Sequence, residues 1–156
     1  MSKRTNVLAI ASMLTIVSFP HPAAAQMGLG TWVLQRTGND TVDVTLKVDA
    51  CCHGGRRLSY AVTAPKGTSM SLIIESPFDG SDAPLTIGGK PTGETMAITR
   101  VDDRHATAVI KYNGEQVGTY RATISPDGST LTVARDNTAP YPGQHVGKVE
   151  EIWKKK

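Results

Sequence analysis

Apolar side chains that recur at every second position are the feature that most limits how this chain can fold. In the segments 42–49, 58–63 and 105–112, apolar residues alternate with polar or smaller ones, and nowhere after residue 25 do they recur at helical spacing over three turns. A period of two places one face of an extended strand on a core and the other face on water. The sequence therefore predicts half-buried antiparallel strands rather than helices.

Turn residues separate these segments at short intervals. Asn113-Gly114 is a strong hairpin signal, because both residues tolerate a positive φ angle. Pro126-Asp127-Gly128 predicts a second tight turn, and Asp102-Asp103-Arg104 a third, whereas 136–144 is the longest unpatterned stretch of the second half. Counting the segments gives about nine or ten short strands at hairpin spacing, which is typical of a barrel or a sandwich. Short sequential hairpins favour an up-and-down barrel, because closure removes exposed strand edges. We therefore predict an all-β fold, a small antiparallel up-and-down barrel of about 8–10 strands.

Residues 1–25 have the three zones of a cleavable secretory signal peptide. Lys3 and Arg4 come first, an apolar run follows at 7–19, and Ala23-Ala24-Ala25 supplies the small residues that a signal peptidase requires. A membrane anchor is the alternative, but spanning a bilayer takes about 20 apolar residues, which is more than this run offers. We expect cleavage after Ala25, a single domain at 26–156, and a periplasmic or secreted protein.

The charge of the mature chain excludes two classes of partner. The chain has 17 basic and 14 acidic residues, and loss of Lys3 and Arg4 leaves the mature part almost neutral. A neutral protein has no electrostatic attraction for nucleic acid or for an anionic membrane surface. Residues 154–156 are three lysines, interpreted as a solvated tail. No other segment is apolar enough to insert into a membrane, so we expect neither kind of partner.

Three segments resemble the lipocalin-like proteins that many bacteria export. Gly30-Thr31-Trp32 is similar to the G-x-W opening of lipocalin-type barrels, 78–87 is similar to a D-G-x-D-x-P segment of the family, and 98–133 resembles its paired strands joined by a D-G turn. The resemblance implies a barrel with a small-ligand cavity and with the tryptophan plugging one end. It also implies a basic side chain from a late strand stacked on Trp32, for which Arg135 and Lys148 are the candidates.

Cys51-Cys52-His53 is the most unusual local motif, and Gly54-Gly55 after it predicts a hairpin tip. Three interpretations stay open. In an oxidising compartment the two thiols form a local or intermolecular disulfide. Alternatively, the thiolates and the imidazole bind a soft metal such as Cu(I) or Zn, or the pair is a redox-active dithiol. The familiar C-x-x-C spacing is absent, and only His105 and His145 remain as other histidines of the mature chain.

Trp32, Tyr60 and Trp153 are candidate ligand-binding residues, with core packing as the alternative role. The first and last strands of a closed barrel are neighbours, so Trp32 and Trp153 are expected near one another. No catalytic residues are predicted. The G-x-S-x-G motif is missing, Glu150 and Glu151 point to opposite faces of one strand, and Asp79 and Asp82 are expected on turns. No nucleotide motif is present, and no cofactor is expected.

The leading functional hypothesis is a non-enzymatic barrel that binds a small apolar or amphipathic molecule in its cavity. The alternative is an exported protein-interaction module, such as a hydrolase inhibitor, that acts through the loops of a filled barrel. A metal or thiol role at Cys51, Cys52 and His53 is the third.

Overall fold

The structure, a computed structural model, describes residues 28–35, 42–65 and 67–156. The predicted signal peptide at 1–25 and its cleavage site lie outside the described residues. The strands are β1 (Gly30–Leu34), β2 (Asp43–Cys51), β3 (Gly55–Thr63), β4 (Ser69–Ser76), β5 (Asp79–Ile87), β6 (Lys90–Arg100), β7 (His105–Tyr112), β8 (Glu115–Ile124), β9 (Thr130–Asn137) and β10 (Gly147–Lys155). A single 3-10 turn, Cys52–Gly54, joins β2 to β3. Within this part of the chain, no helix is long and apolar enough to cross a membrane.

The strands form one closed antiparallel barrel in which each is paired with its neighbours in sequence and β1 is paired with β10. Trp32 lies opposite Lys155 and Leu34 lies opposite Trp153 across that last seam. Closure leaves none of the ten described strands as an unpaired edge, which removes a route to aggregation. The predicted all-β fold and the up-and-down barrel are both confirmed, with ten strands in the described chain.

The apolar residues that alternate in the sequence point into the barrel, and the residues between them point outwards. On β7, Ala106, Ala108 and Ile110 are buried, whereas His105 and Thr107 lie on the other face of the strand. The same phase on the other strands builds one core inside the barrel. Its buried members are Trp32, Leu46, Val48, Ile74, Ala83, Leu85, Met96, Ile98, Ala106, Ala108, Ile110, Val117, Ile124, Leu131, Tyr141 and Trp153.

One predicted turn region is part of a strand instead, and one predicted loop is shorter than expected. Asp79 and Asp82 lie in β5 and pair with Thr99 and Ala97 of β6, so the prediction that both sit on turns is wrong. The pairing register shifts between the two aspartates, and such a bulge accommodates turn-forming residues within a strand. The unpatterned stretch 136–144 is also shorter than predicted, because Asn137 still pairs with Gly118 at the end of β9.

The up-and-down order gives the barrel two different ends. We call the closed end the one that carries Gly28, the 51–55 hairpin tip and the C-terminal Lys155. We call the loop end the opposite one, which carries the Asn113-Gly114 turn and the long connection 138–146 between β9 and β10. Asn113 and Gly114 both have positive φ angles, of 50° and 87°, so the hairpin predicted there is confirmed.

Trp32 is almost fully buried towards the closed end. Its Nε1 donates a hydrogen bond of 2.8 Å to the Gly28 carbonyl, and the Lys155 ammonium lies 5.5 Å from the centre of its ring. The expectation that Arg135 or Lys148 stacks on Trp32 is therefore wrong. Lys155 takes that position because it is the register partner of Trp32 across the β1–β10 seam. Arg135 lies over Tyr120 instead, and the side chain of Lys148 is 84% exposed.

Gly55, at the start of β3, lies tightly against the backbone that follows β4. A Cβ atom at this position would come within 2.1 Å of the Ser76 carbonyl oxygen and 2.6 Å of the Pro77 Cα. We expect Gly55→Ala to lower the free energy of unfolding by about 3 kcal/mol, because neither backbone atom moves aside cheaply. Gly54→Ala is the matched control, since Gly54 has φ +86° but nothing within 4 Å of a Cβ; we expect a loss of about 1 kcal/mol there. Urea denaturation measures both, and equal losses would show that the close approach is absent.

Candidate ligand-binding site

The interior of the barrel contains two adjacent chambers. The chamber towards the closed end has a volume of about 100 Å³. The chamber towards the loop end has a volume of about 290 Å³. Both are bordered by the same waist of side chains, namely Leu46, Tyr60, Met96, Tyr120 and Val133. The two chambers therefore lie end to end along the inside of the barrel.

The closed-end chamber has an almost wholly apolar wall. Much of its space exists because β7 and β8 supply alanines, Ala106, Ala108 and Ala122, where larger side chains would fill it. Phe78 and Ile98 complete other parts of the wall. An apolar wall offers no partner for a polar group, so this chamber suits a hydrocarbon segment.

The loop-end chamber combines charged, polar and aromatic side chains. Glu94 of β6, Arg135 of β9 and Glu151 of β10 all face it. Its wall also includes four aromatic rings and one amide side chain, namely Tyr60, Tyr120, Tyr141, Trp153 and Gln144. A chamber of this composition can hold a polar group on one side and an apolar one on the other.

Arg135 is the centre of the polar contacts in the loop-end chamber. Its Nη2 donates to Glu151, its Nη1 donates to the side-chain oxygen of Gln144, and its guanidinium lies 5.1 Å from the centre of the Tyr120 ring. The side chains of Arg135 and Glu151 are only 14% and 19% exposed. The register explains the ion pair: Glu151 lies opposite Val133, so Arg135 is its diagonal neighbour on the inner face.

Glu94 is the second carboxylate of this chamber. Burial raises the pKa of Glu94, and the positive charge of Arg135 partly opposes that rise. Within the described part of the chain, no hydrogen bond or ion pair is made by its carboxylate. Burial also raises the pKa values of Tyr60 and Tyr120, so both remain neutral phenols at physiological pH.

Three polar atoms on lining residues of the loop-end chamber are buried without a hydrogen-bond partner among the described residues. They are Arg135 Nε, Trp153 Nε1 and the Tyr141 hydroxyl. Tyr120 lies near the Tyr141 hydroxyl, but no hydrogen bond of normal geometry joins the two. Buried polar atoms are almost always paired with protein, water or a ligand. Water or a bound molecule in the loop-end chamber would supply the missing partners.

Two of the three residues predicted to contact a ligand line the chambers. Tyr60 borders both chambers, and Trp153 lines the loop-end one, with its ring 6.1 Å from that of Tyr60 in an edge-on arrangement. Trp32 lines neither and packs towards the closed end. Trp32 and Trp153 do lie near one another along the β1–β10 seam, where one residue pair, Val33–Lys154, separates the pairs that contain them.

The sequence alone does not predict a site role for Glu151, nor for four other residues of the loop-end chamber wall, namely Glu94, Tyr120, Tyr141 and Gln144. The alternation of inward and outward positions does contain a signal for the two glutamates, Glu94 and Glu151. Glu94 is in phase with the inward Met96 and Ile98, and Glu151 is in phase with Trp153. A charged residue in phase with a buried face is unusual, because burying a charge is costly without a partner.

Cys51 and Cys52 lie at the β2–β3 hairpin tip, at the end of the barrel opposite the loop-end chamber. In the structure their sulfurs are joined as a disulfide, and His53 is exposed beside them. Among the described residues, no group of three or more His, Cys, Asp or Glu side chains could hold a metal ion. Metal binding or redox activity at Cys51, Cys52 and His53 stays a prediction for the reduced chain.

The remaining histidines lie outside the chambers. The Nδ1 atom of His105 is 2.8 Å from the Asp102 carboxylate on the closed-end loop between β6 and β7. Hydrogen bonds from the Arg104 backbone and the His105 side chain lower the pKa of Asp102, as in an acidic residue that stabilises a turn. His145 is exposed in the 138–146 connection, and its carbonyl accepts a hydrogen bond from Asn137.

Comparison with known proteins assigns no family to this chain. No protein-family model matches the sequence, and no curated protein matches it. A function for this barrel therefore has to follow from the chambers and the side chains that line them.

Proposed function

We propose that this protein is an exported, non-enzymatic, lipocalin-like barrel that binds one small amphipathic molecule in its interior. The apolar part of that molecule occupies the closed-end chamber, and its polar group occupies the loop-end chamber. The observation that carries the proposal is the set of unpartnered buried polar atoms on Arg135, Trp153 and Tyr141, next to an apolar chamber.

The unpartnered atoms favour an amphipathic ligand over a purely apolar one. Trp153 is only 3% exposed, and its indole N–H has no acceptor among the described residues. A hydrocarbon in the loop-end chamber would leave this group unsatisfied, at a cost of about 1–3 kcal/mol for each such group. A hydrogen-bond acceptor on the ligand, or a water held beside its polar group, removes that cost.

The 138–146 connection supports a binding role for the loop end. Tyr141 in this connection is 7% exposed, and Gln144 donates a backbone hydrogen bond to its carbonyl. Thr138 anchors the start of the connection through a hydrogen bond of 2.8 Å to Val117. The connection thus covers the polar chamber with two of the side chains that line it. Because the chambers are unfilled by side chains, they favour cavity binding over the alternative of a filled barrel that acts through its loops.

Export is part of the proposal because residues 1–25 have the zones of a signal peptide. The lipocalin-like assignment is supported by the position of Trp32 towards one end of a closed barrel with a basic side chain over its ring. Mass spectrometry of the protein recovered from the periplasm or medium should find a chain beginning at Gln26. A full-length chain found only inside the cytoplasm would contradict the export proposal.

Titration of the mature protein with 1-octanol, octylamine and octanoate tests the binding proposal. We expect saturable one-to-one binding of at least one of them by calorimetry, with a change in tryptophan fluorescence. Because Trp153 lines the loop-end chamber and Trp32 lines neither chamber, Trp153→Phe should remove most of the fluorescence change. Absence of saturable binding for all three probes would contradict the proposed function.

A further inference from the structure

We propose that the polar group of the ligand is a positively charged amine and that the carboxylate of Glu94 binds it. This inference rests on the proposed function, and it specifies the chemical class of ligand that the loop-end chamber selects.

The charges of the chamber favour a cation. Three charged side chains line it, two acidic and one basic. Both terminal nitrogens of Arg135 are already engaged, by Gln144 and Glu151. Its guanidinium lies over the face of Tyr120, whereas its Nε has no partner among the described residues. Glu94 is left with no hydrogen bond or ion pair among the described residues. Glu94 is half-buried, and a bound cation offsets the cost of holding its carboxylate partly out of water without a partner.

The aromatic residues around Glu94 favour the same class of ligand. Tyr112 is the cross-strand partner of Glu94 and stacks on Tyr141, with ring centres 6.3 Å apart. Tyr60, Tyr120 and Trp153 line the same chamber. Aromatic faces attract cations, and the Arg135 guanidinium over Tyr120 shows that one already lies against such a face here.

The other classes of polar group fit this chamber less well. An anionic group would meet two carboxylates, and the one guanidinium that could attract it is paired with Glu151. A neutral group could accept a hydrogen bond from Trp153 Nε1, but it would leave Glu94 without a counter-charge. An ammonium group only donates, so it pairs with the Glu94 carboxylate, and a water held beside it accepts from Trp153 Nε1 and Arg135 Nε. A cation is the class that complements the carboxylate left over after the internal ion pair has formed.

Three probes with the same eight-carbon chain separate these classes. At neutral pH we expect octylamine to bind the mature protein at least tenfold more tightly than 1-octanol, and octanoate to bind most weakly. Glu94→Gln keeps the shape of the side chain and removes its charge. We expect this variant to lose about tenfold in affinity for octylamine and to keep its affinity for 1-octanol, as measured by calorimetry.

Glu150→Gln is the matched control. Glu150 is exposed and next to Glu151 on the outward phase of β10, so this variant has the same change in net charge without a change in the chamber. We expect its octylamine affinity to equal that of the wild type. The amine assignment would be overturned if 1-octanol or octanoate bound the wild type more tightly than octylamine does. An unchanged octylamine affinity in Glu94→Gln would also overturn it. Either result would leave the proposed binding function standing. Failure of all three probes to bind would overturn both proposals. The comparison of probes on the wild type does not depend on whether the variant folds.

Discussion

Replacing Arg135 by methionine should lower the free energy of unfolding by about 3 kcal/mol, because Glu151 then stays buried without its counter-ion. The two side chains are 14% and 19% exposed, so water screens the remaining charge poorly. Methionine retains most of the stem of arginine, which limits the loss of packing against Tyr120. Urea denaturation monitored by circular dichroism measures the difference.

The matched control is Arg57→Met on the outer face of the barrel. Arg57 is paired with Glu75, and these side chains are 52% and 48% exposed. An exposed pair contributes only about 0–1 kcal/mol, so we expect a small change there. A loss at Arg135 no larger than the loss at Arg57 would show that Glu151 is not stranded by the substitution.

Replacing both partners of the inner pair provides the complementary measurement. We expect Arg135→Met combined with Glu151→Leu to recover at least half of the stability lost by Arg135→Met alone, because no unpaired charge then remains. The double variant should also have a less polar loop-end chamber. If it is as unstable as the single variant, packing rather than the stranded carboxylate accounts for the loss.

Replacing Ala122 by leucine should weaken binding of octyl probes about 100-fold while leaving the fold intact. Ala122 lines the closed-end chamber, which has a volume of about 100 Å³, so a leucine takes space that the alkyl chain would fill. Exclusion of about four methylene groups at about 0.8 kcal/mol each corresponds to about 3 kcal/mol of binding free energy. Calorimetric titration with the tightest octyl probe measures the change.

Ala134→Leu is the control for the added volume. Ala134 is exposed on the outer face of β9, opposite Glu150 in the register, so it cannot obstruct the chamber. We expect unchanged affinity in this variant. Ala108 lines the same chamber, and Ala108→Val adds a smaller side-chain volume than Ala122→Leu does. It provides a second test if Ala122→Leu proves unstable. Unchanged affinity in both chamber variants would show that the alkyl chain does not enter the closed-end chamber.

Local patterns were sufficient to locate most of the strands and two of the tightest turns. The segment 105–112 coincides with β7, because alternation starts at His105 and Asn113-Gly114 stops it. Asp79 and Asp82 were misplaced for a related reason. Aspartate and glycine favour turns through local hydrogen bonds, but pairing with β6 and a bulge outweighed that tendency.

The candidate site was only partly predictable. The sequence predicts Tyr60 and Trp153 as ligand contacts, because aromatic residues of a barrel interior either fill it or line it. Glu94 lies on β6, whereas Arg135 and Glu151 lie on the consecutive strands β9 and β10, and the approach of the three side chains depends on the pairing register. The contact between Lys155 and Trp32 also depends on register, because the two residues are neighbours across the β1–β10 seam and no sequence motif joins them.

The sequence by itself determined that this chain forms half-buried strands joined by tight turns, because alternation and turn chemistry are local properties of neighbouring residues. Only the tertiary structure decided that the sheet closes, which end holds Trp32, and that two chambers remain inside. Those results depend on register and on the volumes of side chains that meet across the barrel. The same long-range packing leaves the Glu94 carboxylate without a hydrogen bond or ion pair among the described residues, beside a complete Arg135–Glu151 pair, and that asymmetry is the basis for an amphipathic amine as the proposed ligand.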